Sequence, residues 1–209
     1  MVRAISSANA SALAARTILP RDFLWLQVRD RSTNELVSDA YWSDVGTITA
    51  QIINPDSGIV QTRTWQGAGQ LIQIDAIPAV MGIQSETVRV VLSQIDDRVA
   101  DLIRGYEPKF GRAEIYRGLL NVDTRKMVAP AMPCFVGMID EIVVETPEEN
   151  GEGSVTLTLA SHVGELMRTS TATRSHEDQM ARHPGDAFFK DAAVVGTWQN
   201  FWGVKEKRG

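Results

Sequence analysis

Three histidines, His162, His176 and His183, are the first side chains of this chain whose types could do chemistry. With the nearby carboxylates of Glu177, Asp178 and Asp186 they supply the nitrogen and oxygen atoms that bind divalent metals. Their spacing fits no common zinc pattern, because there is no HExxH and the gap from His176 to His183 is not i, i+4. We therefore interpret the histidines as surface or turn residues and expect no metal site.

Candidate nucleophiles and acid–base pairs are equally sparse. Cys134 is the only cysteine and stands in an apolar stretch, which predicts a buried structural thiol because apolar surroundings suppress the thiolate. No serine lies in a GxSxG elbow. The adjacent carboxylates at 96–97 and 140–141 fit a solvated helix start and a solvated strand edge better than a catalytic pair. We expect no catalytic residue, no cofactor and no enzymatic activity.

Trp25, Trp42 and Trp65 could form a platform for sugar rings. They stand at alternating or turn positions, where packing into a core is the commoner role of an aromatic side chain. The sequence favours core packing and leaves carbohydrate binding as the alternative.

The overall composition is that of a globular protein. The chain has 209 residues, a net charge of −5 and a pI of about 5.3. General nucleic-acid binding is not expected, because such domains are usually basic. One cysteine excludes a disulfide framework within the chain. No apolar run approaches the length of a membrane span, so we expect no membrane association and synthesis in the cytoplasm.

The periodicity of the chain predicts a mainly β fold with short helices (α+β). An Ala-rich helix is expected over residues 7–15 and a short amphipathic helix over 96–104. Alternation and turn residues predict strands at 23–28, 36–42, 60–65, 85–95, 111–120, 132–145 and 154–160. The predicted organisation is a helical arm (1–20), a β-rich subdomain (21–84), a second β domain with the helix 96–104 (85–165) and a C-terminal extension (166–209).

The C-terminal extension is dense in special residues. Pro184, Gly185 and Asp186 form a predicted turn, and Asp186 is a candidate N-cap for a helix over 187–193. Large aromatic side chains follow, and they need cover from either this chain's own core or another subunit. These aromatics are Phe188, Phe189, Trp198, Phe201 and Trp202.

Five segments, in order along the chain, resemble a family of tail proteins of bacteriophages and prophages. They are WSDVG (42–46), WQGAGQL (65–71), VRVVLSQI (88–95), FVGMID (135–140) and a closing segment with Arg174, Asp178, Gln179, Pro184, Gly185, Asp186, Phe189, Trp202 and Gly203. The likeness covers the chain from about residue 40 onward. It departs from the family's pattern at Asp44 and Gln94, where glycine is usual.

The resemblance implies a tail hub or baseplate hub at the distal end of the tail, built on tail-tube-like β-sandwich or β-barrel domains with a packed helix. It implies a homo-oligomeric ring, with a trimer favoured, that contacts the distal tail protein, the tail tip or central fibre protein and the tape measure protein, and through which DNA only passes. For ring contacts we expect the strands 132–145 and 154–160, because an unpaired strand edge can accept a neighbour.

The expected interface residues of the extension are Asp178, Gln179, Pro184, Gly185, Asp186, Phe188, Phe189, Trp198, Phe201 and Trp202. Two alternatives stay open: a hexameric distal tail protein, and, in a different class, a tail-associated carbohydrate-binding module or cell-wall hydrolase.

Overall fold

The structure is a computed structural model that describes residues 5–15, 18–67, 72–77, 86–93, 99, 104–147, 149, 153–163 and 174–198. The chain divides into two units, Met1–Met167 and Arg168–Gly209. Among the described residues, the first unit holds one helix of more than one turn and all the strands.

The strands of the first unit form one sheet with the order β3-β4-β2-β1-β7-β8-β9-β6-β5. Neighbouring strands are antiparallel, apart from a short parallel pairing of β2 with β4. The strands are β1 (Leu19–Asp30), β2 (Leu36–Trp42), β3 (Thr47–Ile53), β4 (Val60–Gly67), β5 (Ile72–Ile74), β6 (Thr87–Ser93), β7 (Tyr106–Leu120), β8 (Met132–Glu145) and β9 (Ser154–Ser161).

This architecture confirms the predicted mainly β class, and the strands predicted at 36–42 and 132–145 have the predicted bounds. The predicted subdomains 21–84 and 85–165 contribute to the same sheet, because β1 pairs with β7 along most of its length, from Leu19↔Leu120 to Asp30↔Tyr106. No gap in the strand order separates the two sets of strands.

Two hydrophobic cores lie on opposite faces of the central pair β1 and β7. Alternate residues of β1 enter different cores, with Leu24 and Leu26 in the first and Phe23 in the second. On β7, Ile115 belongs to the first core and Tyr116 to the second. The continuous apolar run of β1 therefore reflects burial on both faces of the strand.

The sheet curls around the second core. The backbone N–H of Ile53 donates to the carbonyl of Ala131, and the N–H of Ala131 donates to the carbonyl of Gln51, at 3.0 and 2.8 Å. These bonds join the outer edge of β3 to the segment that leads into β8. The core enclosed there is aromatic: Trp65 packs edge-to-face on Phe23 and Tyr116, with ring centroids 5.1 and 6.0 Å apart.

Helix α1 (Ser7–Ala14) matches the predicted N-terminal helix closely, and Ser6 caps it by accepting from the N–H of Asn9. The helix ends at Ala14, and Pro20 lies beyond it, at the second residue of β1. Of the helix predicted at 96–104, only residues 99 and 104 are described; both are helical, and Val99 is buried in the first core.

The second unit contains helix α2 (His176–Arg182) and a 3-10 turn at Val195–Thr197. The helix predicted over 187–193 is wrong. Its residues form successive turns, in which Lys190 donates to Ala187 and Ala192 to Phe189. A helix this short needs a packed face, and residues 190–198 are all exposed, so nothing offsets the cost of starting a helix.

Gly137 on β8 is required by the close approach of β9. A Cβ atom built on Gly137 would lie 2.2 Å from the carbonyl oxygen of Ala160. We expect Gly137→Ala to lower the free energy of unfolding by about 2–3 kcal/mol, because backbone on both strands has to move. Urea denaturation followed by tryptophan fluorescence measures the change.

Gly118→Ala on β7 is the matched control. There the nearest atom is the end of the flexible Met127 side chain at 2.5 Å, which can move aside. We expect a loss of about 1 kcal/mol or less. Equal losses for the two substitutions would contradict the role given to the Gly137 contact.

Candidate interaction surfaces

Residues 174–198, here called the aromatic segment, expose many large apolar side chains for their length. Phe188 is 81% exposed and Trp198 is 52% exposed. Val194, Val195 and Met180 are also exposed. Isolated exposed apolar residues are normal on a protein surface, but a run of them in one short segment is typical of a site that contacts another molecule.

The turn at 184–186 gives the aromatic segment a defined local structure. Gly185 has φ +94°, which a side chain would strain. Asp186 accepts from the N–H of Phe188 at 3.0 Å and from Nε2 of Gln179 at 2.5 Å. The bond from Phe188, followed by the bond from Gln179, lowers the pKa of Asp186. The carboxylate therefore ties α2 to the start of the aromatic run while it stays ionised.

Helix α2 is stabilised at both ends by side chains of the expected interface residues or of residues next to them. Ser175 caps it by accepting from the N–H of Asp178 at 3.2 Å. The Asp178 carboxylate forms an ion pair with Arg182 one turn later. Asp178 and Gln179 thus order the segment locally, whereas Phe188 and Trp198 are the members left exposed. Phe189 is half-buried and packs edge-to-face on Phe188, with ring centroids 5.0 Å apart. Phe201 and Trp202 lie outside the described residues.

Two segments that carry the family resemblance lie against each other in the first unit. The turn after Trp42 places Gly46 at φ +80°, and Nε1 of Trp42 donates to the Gly46 carbonyl at 2.8 Å. A Cβ atom on Gly67 would lie 2.4 Å from the Gly46 nitrogen, so this turn requires glycine at 67. Asp44, which departs from the family's pattern, accepts from Arg21 at 2.8 Å, and this bond is the main cause of its lowered pKa.

The sequence did not indicate a buried ionic cluster at the rim of the second core. Glu114 on β7 is 1% exposed and accepts from Arg63 at 2.8 Å, from Arg112 at 2.7 Å and from the Tyr116 hydroxyl at 2.5 Å. The guanidinium of Arg63 lies 4.2 Å from the ring centre of Trp25, and such a contact adds cation–π attraction. The cluster fastens β4 to β7 across the curl of the sheet.

The electrostatics of this cluster are structural. Burial, and then the bond to Glu114, raise the pKa of the Tyr116 hydroxyl, so it stays protonated and donates. For Arg112, burial by itself favours the neutral form, but the bonds to Asp56 and Glu114 outweigh it and the pKa is raised. Glu114 meets one phenol and two cations, so its charge is compensated within the protein.

The two strands expected to make ring contacts differ in whether they have an unpaired side. β9 pairs with β8 on one side and with β6 on the other over its whole length, so the expectation of edge pairing through β9 is wrong. β8 pairs with β9 as far as Glu145, but its pairing with β7 ends at Met138. Among the described residues, the far half of β8 therefore has one unpaired side.

The candidates for chemistry differ in how exposed they are. His162 and His183 are exposed, and His176 is half-buried at the start of α2. Within the described ranges, no group of three metal-ligating side chains comes together. Cys134 is half-exposed, which corrects the expected buried thiol: alternation along β8 places it on the opposite face from the buried Phe135. Its thiol donates to the Met132 carbonyl at 3.7 Å.

The three tryptophans do not form a common exposed face. Trp65 is fully buried, Trp42 is 6% exposed, and both belong to the second core. Trp25 is half-buried beneath Arg63. Of the predicted carboxylate pairs, Asp140 and Glu141 are both exposed at a bulge in β8, whereas 96–97 lie outside the described residues.

No protein-family model matches this chain, and no curated protein matches it. No helix within the described ranges is long and apolar enough to cross a membrane.

Proposed function

We propose that this chain is a structural subunit of the distal end of a bacteriophage tail, a tail or baseplate hub that links the tail tube and distal tail ring to the central tip or fibre. In this proposal the β unit is a tail-tube-like domain. Identical subunits close a ring, with three subunits favoured, and DNA passes through it. The net charge of −5 suits such a passage, because acidic walls repel phosphate.

The observation that carries the proposal is the exposed aromatic segment. Phe188 and Trp198 present large apolar surfaces to solvent, on a segment that Asp186 and α2 hold in place. Aromatic anchors of this kind dominate the binding energy of protein–protein interfaces. A ring of identical subunits needs two different complementary faces on each chain, and a C-terminal anchor that enters a neighbour supplies one of them.

The structural roles of the resemblance segments add support. Gly46 and Gly67 are needed where one segment packs on another, Gly137 where two strands come together, and Gln179 and Asp186 where α2 meets its turn. These positions are explained by packing and hydrogen bonding, which is how a structural subunit uses its special residues. Burial of Trp42 and Trp65 weighs against a carbohydrate platform built on them.

The native mass of the purified protein, measured by light scattering over a concentration series, tests the ring. A trimer supports the hub, and a hexamer favours the distal tail protein. Gold-labelled antibodies on intact phage particles test the location: label at the tail tip supports either tail protein, whereas label elsewhere or on no particle contradicts both.

We expect Phe188→Ala combined with Trp198→Ala to weaken subunit association at least tenfold, because interface aromatics each contribute more than about 1 kcal/mol. Sedimentation at several concentrations measures the change. Val45→Ala is the control, since Val45 is 77% exposed but lies outside the aromatic segment, and it should leave association unchanged. A chain that ends after Gly185 should associate at least as weakly as the double variant.

A further inference from the structure

Within the part of the chain that the structure describes, a kink in β7 leaves half of β8 without a partner strand on one side. β7 pairs with β8 from Arg117↔Met132 to Arg112↔Met138, and then swings away to follow β1. The cause lies just before Arg112. Pro108 has no backbone N–H to donate, Phe110 has φ +63°, and a side chain on Gly111 would meet the Gln27 carbonyl at 2.8 Å. At these residues β7 stays a strand but shifts register against β1, between Gln27 and Arg29.

The resulting β8 edge, residues 141–145, is paired along its other side. Glu141↔Thr158 to Glu145↔Ser154 pair it with β9, which in turn pairs with β6. On the other side a cleft separates the edge from Glu107 and Lys109 of β7. Among the described residues no strand pairs with this side, so backbone donors and acceptors of the edge point into the cleft.

The side chains of the β8 edge limit what can pair with it. Val143 and Val144 are 39% and 40% exposed and lie between the exposed carboxylates of Glu141 and Glu145. Two copies of this edge paired antiparallel about Val143 would place Glu141 opposite Glu145, and like charges in that position destabilise a sheet. Pairing between two copies of the β8 edge is therefore unfavourable, whereas pairing with a strand that carries apolar and basic side chains is favourable.

Residues 199–209 of this chain have that chemistry. The sequence QNFWGVKEKRG combines Phe201, Trp202 and Val204 with three basic residues, Lys205, Lys207 and Arg208, and one acidic residue, Glu206. We infer that the β8 edge accepts residues 199–209 of a second copy as an added strand. The choice of a second copy rests on the proposed ring, because subunits that close a ring need a donor and an acceptor on different parts of each chain.

In one antiparallel register a lysine faces a carboxylate of the edge and the apolar side chains face each other. Lys205 opposite Glu141 places Val204 and Trp202 opposite Ile142 and Val144, on the same face of the sheet. Gly203 then stands opposite Val143. The aromatic segment directly precedes this strand, so Trp198 would reach the neighbour together with it.

Cross-linking between two full-length chains tests the inference. Both chains carry Cys134→Ser; one also carries Val143→Cys and the other, with a size tag, carries Gly203→Cys. Under mild oxidation we expect a tagged heterodimer on a denaturing gel.

Excess synthetic peptide of residues 199–209 should suppress the heterodimer. The same peptide with alternate N-methylated amides should not, because it cannot donate the backbone hydrogen bonds that pair two strands. Thr62→Cys, exposed on β4, is the matched control and should give no heterodimer.

Charge exchange tests the register. We expect Glu141→Lys to lower the cross-link yield about fivefold and Lys205→Glu to do the same, since an unfavourable cross-strand pair costs about 1 kcal/mol. The two substitutions together should restore the yield. Circular dichroism establishes that each variant is folded.

Two outcomes overturn the inference. One is the absence of any cross-link in folded protein. The other is a cross-link that forms only within one chain when that chain carries both Val143→Cys and Gly203→Cys. The added strand would then come from the same copy. A trimer without the cross-link supports the hub proposal and contradicts this inference. A cross-link in a protein whose antibodies label no phage particle supports this inference and contradicts the hub proposal.

Discussion

Glu114→Ala should lower the free energy of unfolding by about 3–5 kcal/mol. The substitution leaves the guanidinium of Arg63, 17% exposed, and that of Arg112, 28% exposed, without their shared carboxylate, and it leaves the Tyr116 hydroxyl without an acceptor. A partly buried charge that loses its partner keeps its desolvation cost and loses the attraction that offset it. Urea denaturation with tryptophan fluorescence is a suitable measurement, because Trp25 and Trp65 lie beside the cluster.

Glu107→Ala is the matched control on the same strand. Glu107 forms an exposed ion pair with Arg31 at 3.7 Å, with both side chains more than half exposed. Surface pairs of this kind contribute between 0 and about 1 kcal/mol. If Glu114→Ala and Glu107→Ala had the same effect, the cluster would not be what fastens β4 to β7.

The second large effect is expected at Trp65. We expect Trp65→Ala to lower the free energy of unfolding by about 3–5 kcal/mol, because the substitution removes the largest fully buried side chain of the described residues and leaves a cavity beside Phe23 and Tyr116. The edge-to-face contacts with both rings are lost as well. Thermal unfolding monitored by circular dichroism would show the change as a lower midpoint.

Trp198→Ala provides the comparison, since Trp198 is half-exposed on the aromatic segment. It should change the unfolding free energy of the isolated protein by less than about 0.5 kcal/mol. If the proposed function is correct, the two substitutions separate stability from assembly: Trp65→Ala should lower stability, whereas Trp198→Ala should weaken association. A loss at Trp198 as large as that at Trp65 would mean that the aromatic segment belongs to a core.

Strands with one buried face were predictable from the sequence. Residues 36–42, 132–145 and 154–160 alternate or are bounded by turn residues, and the structure places strands there. The turn after β1 is equally local, because the Asp30 carboxylate accepts from the N–H groups of Ser32 and Thr33. Local chemistry fixes such elements, so the local sequence reveals them.

Long-range features escaped prediction for a physical reason. β7 begins at Tyr106 rather than Gly111, because residues 106–107 extend by pairing with β1 despite the kink that follows. The bond between Arg63 and Glu114 joins strands that are distant in sequence, and neither residue stands in a motif. The helix wrongly predicted at 187–193 has a suitable capping residue in Asp186, but its residues have no buried face. A cap alone does not stabilise a helix of this length.

The pairing of β1 with β7 has a consequence for the time course of biosynthesis. β1 ends at Asp30 and its partner ends at Leu120, so at translation rates of ~5–20 residues per second the ribosome needs roughly 5–20 s to deliver the missing strand. During that interval the hairpin of β1 and β2 can form, but one whole edge of β1 stays unpaired with its apolar side chains on both faces. The nascent chain is thus most prone to aggregation early, and a chaperone that binds short apolar stretches would act first on the segment LPRDFLWLQV.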